Sequence, residues 1–353
     1  MSGFSPAEKR PWFLPLNNPP VVPAARASHM RDDDPVVGVL VGDHARAYPW
    51  WILANYHLVN DTFLTSEDPG GYLWPESMTG TGEPGYPWFP MIPVVVSLCE
   101  ACSGAAAFVP IPTDEAKPLT FTLVEKTTSS SYRALGTFTI ADLETQSRWH
   151  PLTGYAHSGP FTGAHLQRLP AFVDHWGAWA RDHPSTTVVL AGDEMRTRPH
   201  VIALPGVLEP AAAHSSLREV RLHRPELVDH RLPAAELVLG AGDVDTGAAV
   251  AVTLAALRRH GGAVQTELGG RPILFSLSGD YRGVILDRDL DGTRLEFRSR
   301  SDALVDRDGG IWDRLGTCRS GLHVGRQLTL VPDGYLSKWG EWSLAHPNAE
   351  IIG

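Results

Sequence analysis

The chain repeats itself, and that constrains its fold more than any local motif. Near the middle it reads Trp176-Gly-Ala-Trp179-Ala-Arg-Asp-His183-Pro184. Near the end it reads Trp339-Gly-Glu-Trp342-Ser-Leu-Ala-His346-Pro347, each match displaced by 163 positions, and Trp149 and Trp312 stand at the same offset. Further upstream the offset becomes 179: Pro93-Val-Val-Val-Ser97-Leu98-Cys99 lies over Pro272-Ile-Leu-Phe-Ser276-Leu277-Ser278, and Gly104 over Gly283. The change of offset places an insertion in the first copy, around residues 110–131. At 353 residues the chain exceeds what one hydrophobic core usually serves, so two units of ordinary size are expected.

Four segments follow: a proline-rich extended arm over 1–33, a first module over 34–192, a connector rich in Pro, His and Arg over 193–236, and a second module over 237–353. Short β-branched runs bounded by Pro, Gly or Asp (Val36 to Val41, Val94 to Leu98, Leu119 to Val124) read as strands. Trp50 to Val59 follows Pro49 and meets no breaker before Asn60-Asp61, so a helix is expected there, with its counterpart in the second copy within Thr253 to Gly262. A second helix, Trp176 to Asp182, carries Trp176, Trp179 and His183 on one face and stops at Pro184. The predicted class is α+β: two repeated β-rich modules, each a mostly antiparallel curled sheet with about two short helices, packed as a pseudo-dimer.

Composition removes several function classes. Thirty basic residues against 40 acidic ones give a net charge of -10, which leaves no basic footprint for phosphates and argues against a nucleic-acid partner. No apolar run approaches the roughly 18 residues of a membrane span, and Met1 to Arg31 lacks a signal-peptide pattern. The expectation is a soluble cytoplasmic protein acting on a small molecule. Three cysteines cannot build a disulfide framework; Cys99 and Cys102 form a C-x-x-C pair and Cys318 stands apart.

Two copies on one plan separate scaffold from chemistry. The Trp-Trp-His-Pro helix occurs in both, so its indoles read as core and its histidine as a local hydrogen-bonding group. Asp142 and Asp306 precede the paired tryptophans and read as turn-forming. Cys99 and Cys102 occur only in the first copy, where the second has Ser278 and Tyr281, and His57 has no counterpart in Thr253 to Gly262. The first copy alone carries the 66–93 run with Tyr72, Trp74, Tyr86 and Trp88, a candidate substrate loop.

Two thiolates two residues apart can share one metal ion, and an imidazole is a fitting third ligand, so His57, Cys99 and Cys102 are the expected metal ligands. His150 and His157 are further candidates for a ligand or substrate contact, and Asn60 and Asp61 for orienting His57. Two other readings stay open for the cysteines: a redox dithiol and ordinary buried thiols. No nucleophile elbow, Walker loop or Rossmann fingerprint stands in its required setting.

The stretches Asp34-Pro-Val-Val-Gly-Val, Ala45-Arg-Ala-Tyr-Pro49, His57-Leu-Val-Asn60-Asp61, Cys99-Glu-Ala-Cys102-Ser-Gly104, Ser147-Arg-Trp149 and Trp176 to Pro184 resemble the bacterial family catalogued as domain of unknown function 3179. The likeness covers nearly all of the first copy and implies that the second is a degenerate duplicate. Glu100-Ala101 stands where that family usually has Pro-Leu between the cysteines, and Leu58 where it has Glu. The resemblance implies a module with a His/Cys/Cys focus and no settled reaction. The leading expectation is a metal-dependent oxidoreductase, with copper as cofactor and zinc as the alternative, taking an oxidative step on a small molecule. The alternatives are a non-catalytic metal- or ligand-binding module and a thiol-disulfide redox protein.

Overall fold

The computed structural model describes residues 14–64, 91–99, 102–112, 117–124, 138–190, 225–243, 246–331 and 334–353. These residues form several open, mostly antiparallel sheets and four short α-helices, a β-rich architecture.

The hairpin Pro35–Val41/His44–Pro49 is the centre of the first five-stranded sheet. Ala171–His175 pairs antiparallel on one side and Thr187–Val189 parallel on the other. Val21–Pro23 closes the far edge against Thr187–Val189, and Leu16–Asn17 joins another sheet beside Leu58–Leu64. The proline-rich arm is thus woven into the first module's sheets from residue 16 onward.

A second sheet runs Leu16–Asn17, Leu58–Leu64, Met91–Cys99, Gly104–Val109, Gln167–Leu169. Its alternation divides its side chains between two cores. Val59, Phe63, Ile92, Val94, Val96 and Leu98 join one, and Leu58, Val95, Cys99, Ala106 and Phe108 the other, together with Phe121, Ile140 and Trp149 of a four-stranded sheet.

The C-terminal half follows the same order of elements. Gly334–Lys338, Leu237–Gly242, Ala249–Thr253 and Glu350–Ile352 pair antiparallel, antiparallel and parallel, as their counterparts do. The helix Leu254–Arg259 follows Ala249–Thr253 as Trp50–Tyr56 follows His44–Pro49. The helix Trp176–Asp182 has the expected limits, Trp339–Ala345 is the second tryptophan helix, and their C-caps are His183 and His346. Trp179 lies on Gly38 and Trp342 on Gly240: a Cβ would come within 2.3 Å of the first indole and 2.4 Å of the second, so a side chain at either glycine would displace a ring from the core. All four tryptophans of these helices are buried. Trp149 and Trp312 donate Nε1–H to Asp142 and Asp306 at 2.9 and 2.8 Å, and the same carboxylates accept backbone N–H groups of their turns.

The halves meet directly. Arg282 bonds Asp174 through Nε (3.1 Å) and Nη2, and Asp182 through Nη1 (2.9 Å). On the other side the backbone C=O of Cys102 accepts Lys338 N–H (2.7 Å) and Ser337 Oγ–H (3.2 Å). Gly104 permits this approach, since a Cβ there would lie 2.8 Å from the Leu336 carbonyl oxygen.

The expected helix over Trp50 to Val59 is shorter than predicted. It ends at Tyr56, and Leu58–Leu64 is a strand paired with Met91–Cys99. The reason is tertiary: Leu58, Val59 and Phe63 alternate between two buried faces, a pattern worth more than one further helical turn.

Candidate functional site

Met91–Cys99 carries the first cysteine to the strand end, and the chain turns back through Cys102 into Gly104–Val109. Cys99 and Cys102 are joined by a disulfide, with Cα atoms 5.3 Å apart, and each is only 1% exposed. Cys102 N–H points at Cys99 Sγ at 3.4 Å. The same core cluster contains Leu58, Phe138 and Leu152 from the first half and Tyr335, Trp339 and Trp342 from the second. Both halves therefore wall the cysteine pair. Ser103, next along, has φ 56°, and among the described residues its buried hydroxyl has no hydrogen-bond partner.

His57 is the C-cap of the Trp50–Tyr56 helix with φ 58°, a left-handed backbone that favours glycine. Its N–H donates to Leu53 and its C=O accepts from Leu98, one residue before Cys99. The register of the second half supplies the comparison: Leu277 N–H donates to the C=O of Gly262, which has φ 82°. Where one half uses glycine, the other holds a histidine against its backbone preference. A residue with a Cβ meets a cost there that glycine avoids. The imidazole lies 5.9 Å from Phe138, on the cysteine side of the sheet. Among the described residues its buried Nδ1 has no hydrogen-bond partner. Burial pushes its pKa below the ordinary histidine value, while a backbone hydrogen bond at Leu98 acts the other way.

The other expected residues are placed differently. Asn60 pairs its side-chain amide with both backbone groups of Phe121 (2.9 Å each), as Gln265 does with Phe297, so this is scaffold shared by both halves. Asp61 faces away from His57: it accepts Arg46 Nη1 at 2.7 Å and Tyr48 Oη at 2.6 Å. Neither residue orients the imidazole, because the strand alternation and the committed amide turn both elsewhere.

His150 is also scaffold at Nδ1, which accepts the N–H of Leu152 (3.2 Å) and Thr153 (3.1 Å). Asp313, its counterpart at offset 163, accepts the N–H of Leu315 and Thr317 in the same way. An Nδ1 that accepts carries no proton, so the neutral ring is protonated at Nε2 and offers no lone pair to a metal. His157 is half-buried with Nε2 unpartnered, and burial and Arg148 lower its pKa. Tyr72, Trp74, Tyr86 and Trp88 lie outside the described residues.

Among the described residues no group of three or more His, Cys, Asp or Glu side chains is set to hold a metal ion. His57, Cys99 and Cys102 share one side of one sheet, but the two sulfurs are bonded to each other. Arg46 and Tyr48, which hold Asp61, are not among the site residues expected from the sequence. Their signal was available in the comparison of halves: in the strand register Arg46, Tyr48 and Asp61 correspond to Val250, Val252 and Thr266.

The fold and site define a β-rich protein with a buried C-x-x-C disulfide and, one backbone hydrogen bond from the strand that carries Cys99, a histidine in left-handed backbone. Residues 14–67 and 89–314 match the family described as "Protein of unknown function (DUF3179)", and the chain belongs to that family. No curated protein and no solved structure matches the chain.

Proposed function

We propose that Cys99 and Cys102 form a reversible dithiol/disulfide couple served by His57, and that the protein exchanges two electrons with a disulfide-bearing substrate. The observation that carries this reading is the Cys99–Cys102 bond in the half whose His57 occupies a glycine-type backbone position. In the reduced state a neutral imidazole takes the proton of one cysteine thiol. The thiolate attacks a substrate sulfur and displaces the other as a thiolate, giving a mixed disulfide. The second cysteine then displaces the first substrate sulfur and closes the Cys99–Cys102 bond, so the substrate leaves as a dithiol with two electrons and two protons. Burial of both sulfurs makes exchange depend on local opening, so bulky thiol reagents react slowly.

A second reading is favoured by one observation, the unpartnered Nδ1 of His57. In the reduced protein His57, Cys99 and Cys102 would supply one imidazole and two thiolates, a donor set suited to copper or zinc. A bound ion would supply Lewis-acid or one-electron chemistry. The same proposal treats the two halves as copies of one module packed as a pseudo-dimer, supported by their common strand order and their Asp–Trp pairs. On this reading the first copy keeps the chemistry and the second walls it.

The test is a thiol count across glutathione redox buffers, with copper and zinc contents measured on the reduced protein. A two-thiol step that disappears in the Cys99→Ser/Cys102→Ser variant is the expected result. An unchanged thiol count across the range overturns the couple. Equal metal content in wild type and double variant removes the second reading.

A further inference from the structure

We infer that an open cavity beside Arg46, on the opposite face of the Leu58–Leu64 strand from the cysteine pair, binds a small organic carboxylate with an apolar body. The cavity measures about 750 Å³, within the usual range for small-molecule sites. Val21, Phe63, Leu64 and Met91 supply apolar wall, Arg46 and Thr187 hydrogen-bonding groups, and Asp43 and Asp61 two carboxylates, of which Asp61 is paired with Arg46. Leu64 and Met91 are 62% and 57% exposed at its rim.

Arg46 is held in place from three sides. Nη1 donates to Asp61 Oδ2 (2.7 Å) and to the Thr62 carbonyl (3.1 Å), Nε donates to Thr187 Oγ1 (3.2 Å), and the guanidinium lies 4.2 Å above the Phe63 ring. Tyr48 anchors Asp61 from below (2.6 Å), and burial together with the Asp61 charge keeps the phenol protonated. Among the described residues Nη2 has no hydrogen-bond partner. A guanidinium with two edges fixed and one nitrogen unused is preorganised for an external oxygen acceptor, and the apolar wall beside it selects a molecule with a hydrocarbon body.

The other half shows that this cluster is not needed to build the fold. At the same register the second half has Val250, Val252, Thr266 and, for Phe63, Leu268, and Val250, Val252 and Leu268 are buried in its own core. Apolar groups commonly replace a buried ion pair without loss of stability, so retaining one needs another reason. A ligand for the spare nitrogen supplies it.

The experiment uses the full chain and three probes of one length, hexanoate, hexanol and hexylamine, followed by saturation-transfer NMR and calorimetric titration. The variant Arg46→Val/Tyr48→Val/Asp61→Thr carries the second half's own residues. A second variant, Leu64→Glu/Met91→Glu, changes only exposed rim positions and places negative charge beside the carboxylate. Saturable hexanoate binding, at least tenfold tighter than that of hexanol or hexylamine and weakened at least tenfold in the rim variant, is the expected result; a folded triple variant should lose it. No saturable hexanoate binding, equal binding of hexanol, or unchanged hexanoate binding by the rim variant overturns the site. None of these outcomes depends on the redox state of Cys99 and Cys102.

Discussion

His57 and Gly262 hold the same place in the two halves of the molecule: each has a positive φ, and each accepts the N–H of a residue in the neighbouring strand, Leu98 or Leu277. One position obeys the backbone's preference and the other opposes it.

That opposition is measurable. His57→Gly and His57→Ala both delete the ring, but only glycine relieves the left-handed strain, so His57→Gly should be the more stable variant by about 1 kcal/mol. Denaturant unfolding of the pair decides it. Equal stability would mean that the histidine stores no backbone strain.

The carboxylates under the paired indoles should be equivalent in both halves. Asp142 and Asp306 are buried, each accepting an indole N–H and turn amides. Removing either leaves those donors unpaired, so Asp142→Ala and Asp306→Ala should each cost roughly 2–4 kcal/mol. A change below about 0.5 kcal/mol in unfolding midpoints, converted through the m-value, would refute the role.

Across the junction Arg282 faces Asp174 with both side chains nearly buried. Arg282→Leu alone strands the aspartate and should destabilise by about 3–5 kcal/mol, whereas Arg282→Leu/Asp174→Leu should recover much of the loss. Strict additivity of the two single changes would show that the pair is not coupled.

His346 sets a pH dependence. It packs 4.3 Å from the Trp342 ring, and burial lowers its pKa to about 4. A histidine whose folded pKa lies below its unfolded value of 6.5 binds protons more readily when unfolded. Its contribution to stability is present above about pH 6.5 and is lost as pH falls towards 4, reaching about 2 kcal/mol by pH 5. The directions for His57 and His183 have the same sign. Unfolding free energies at pH 7 and pH 5 for wild type and His346→Gln supply the check, and an identical pH slope in both would exclude His346 as the source.

The tryptophan helices, the Val36 to Val41 strand and the shared indoles were legible because they rest on local periodicity and on the chain's own repetition. The role of Asp142 was half legible: its turn could be read, but its bond to Trp149 could not. The helix boundary at Tyr56 is not legible locally, because Leu58-Val59-Asn60-Asp61 is compatible with a helix end until the partner strand is known. Asp61 is near His57 in the chain but not in its contacts, because a strand sends side chains two residues apart to one face and their neighbours to the other, and Asp61 meets Arg46 and Tyr48.

Residue order alone carried the β-rich character, the family resemblance and the recurrence of the Trp-Trp-His-Pro pattern without a second cysteine pair, since each depends on which residue types stand at fixed spacing. Tertiary structure alone decided that Cys99 bonds Cys102, that His57 sits in a glycine's conformation and that, among the described residues, Arg46 keeps one nitrogen without a partner. Those facts depend on which strands face each other and at what register, and long-range burial settles that where neighbouring residues do not.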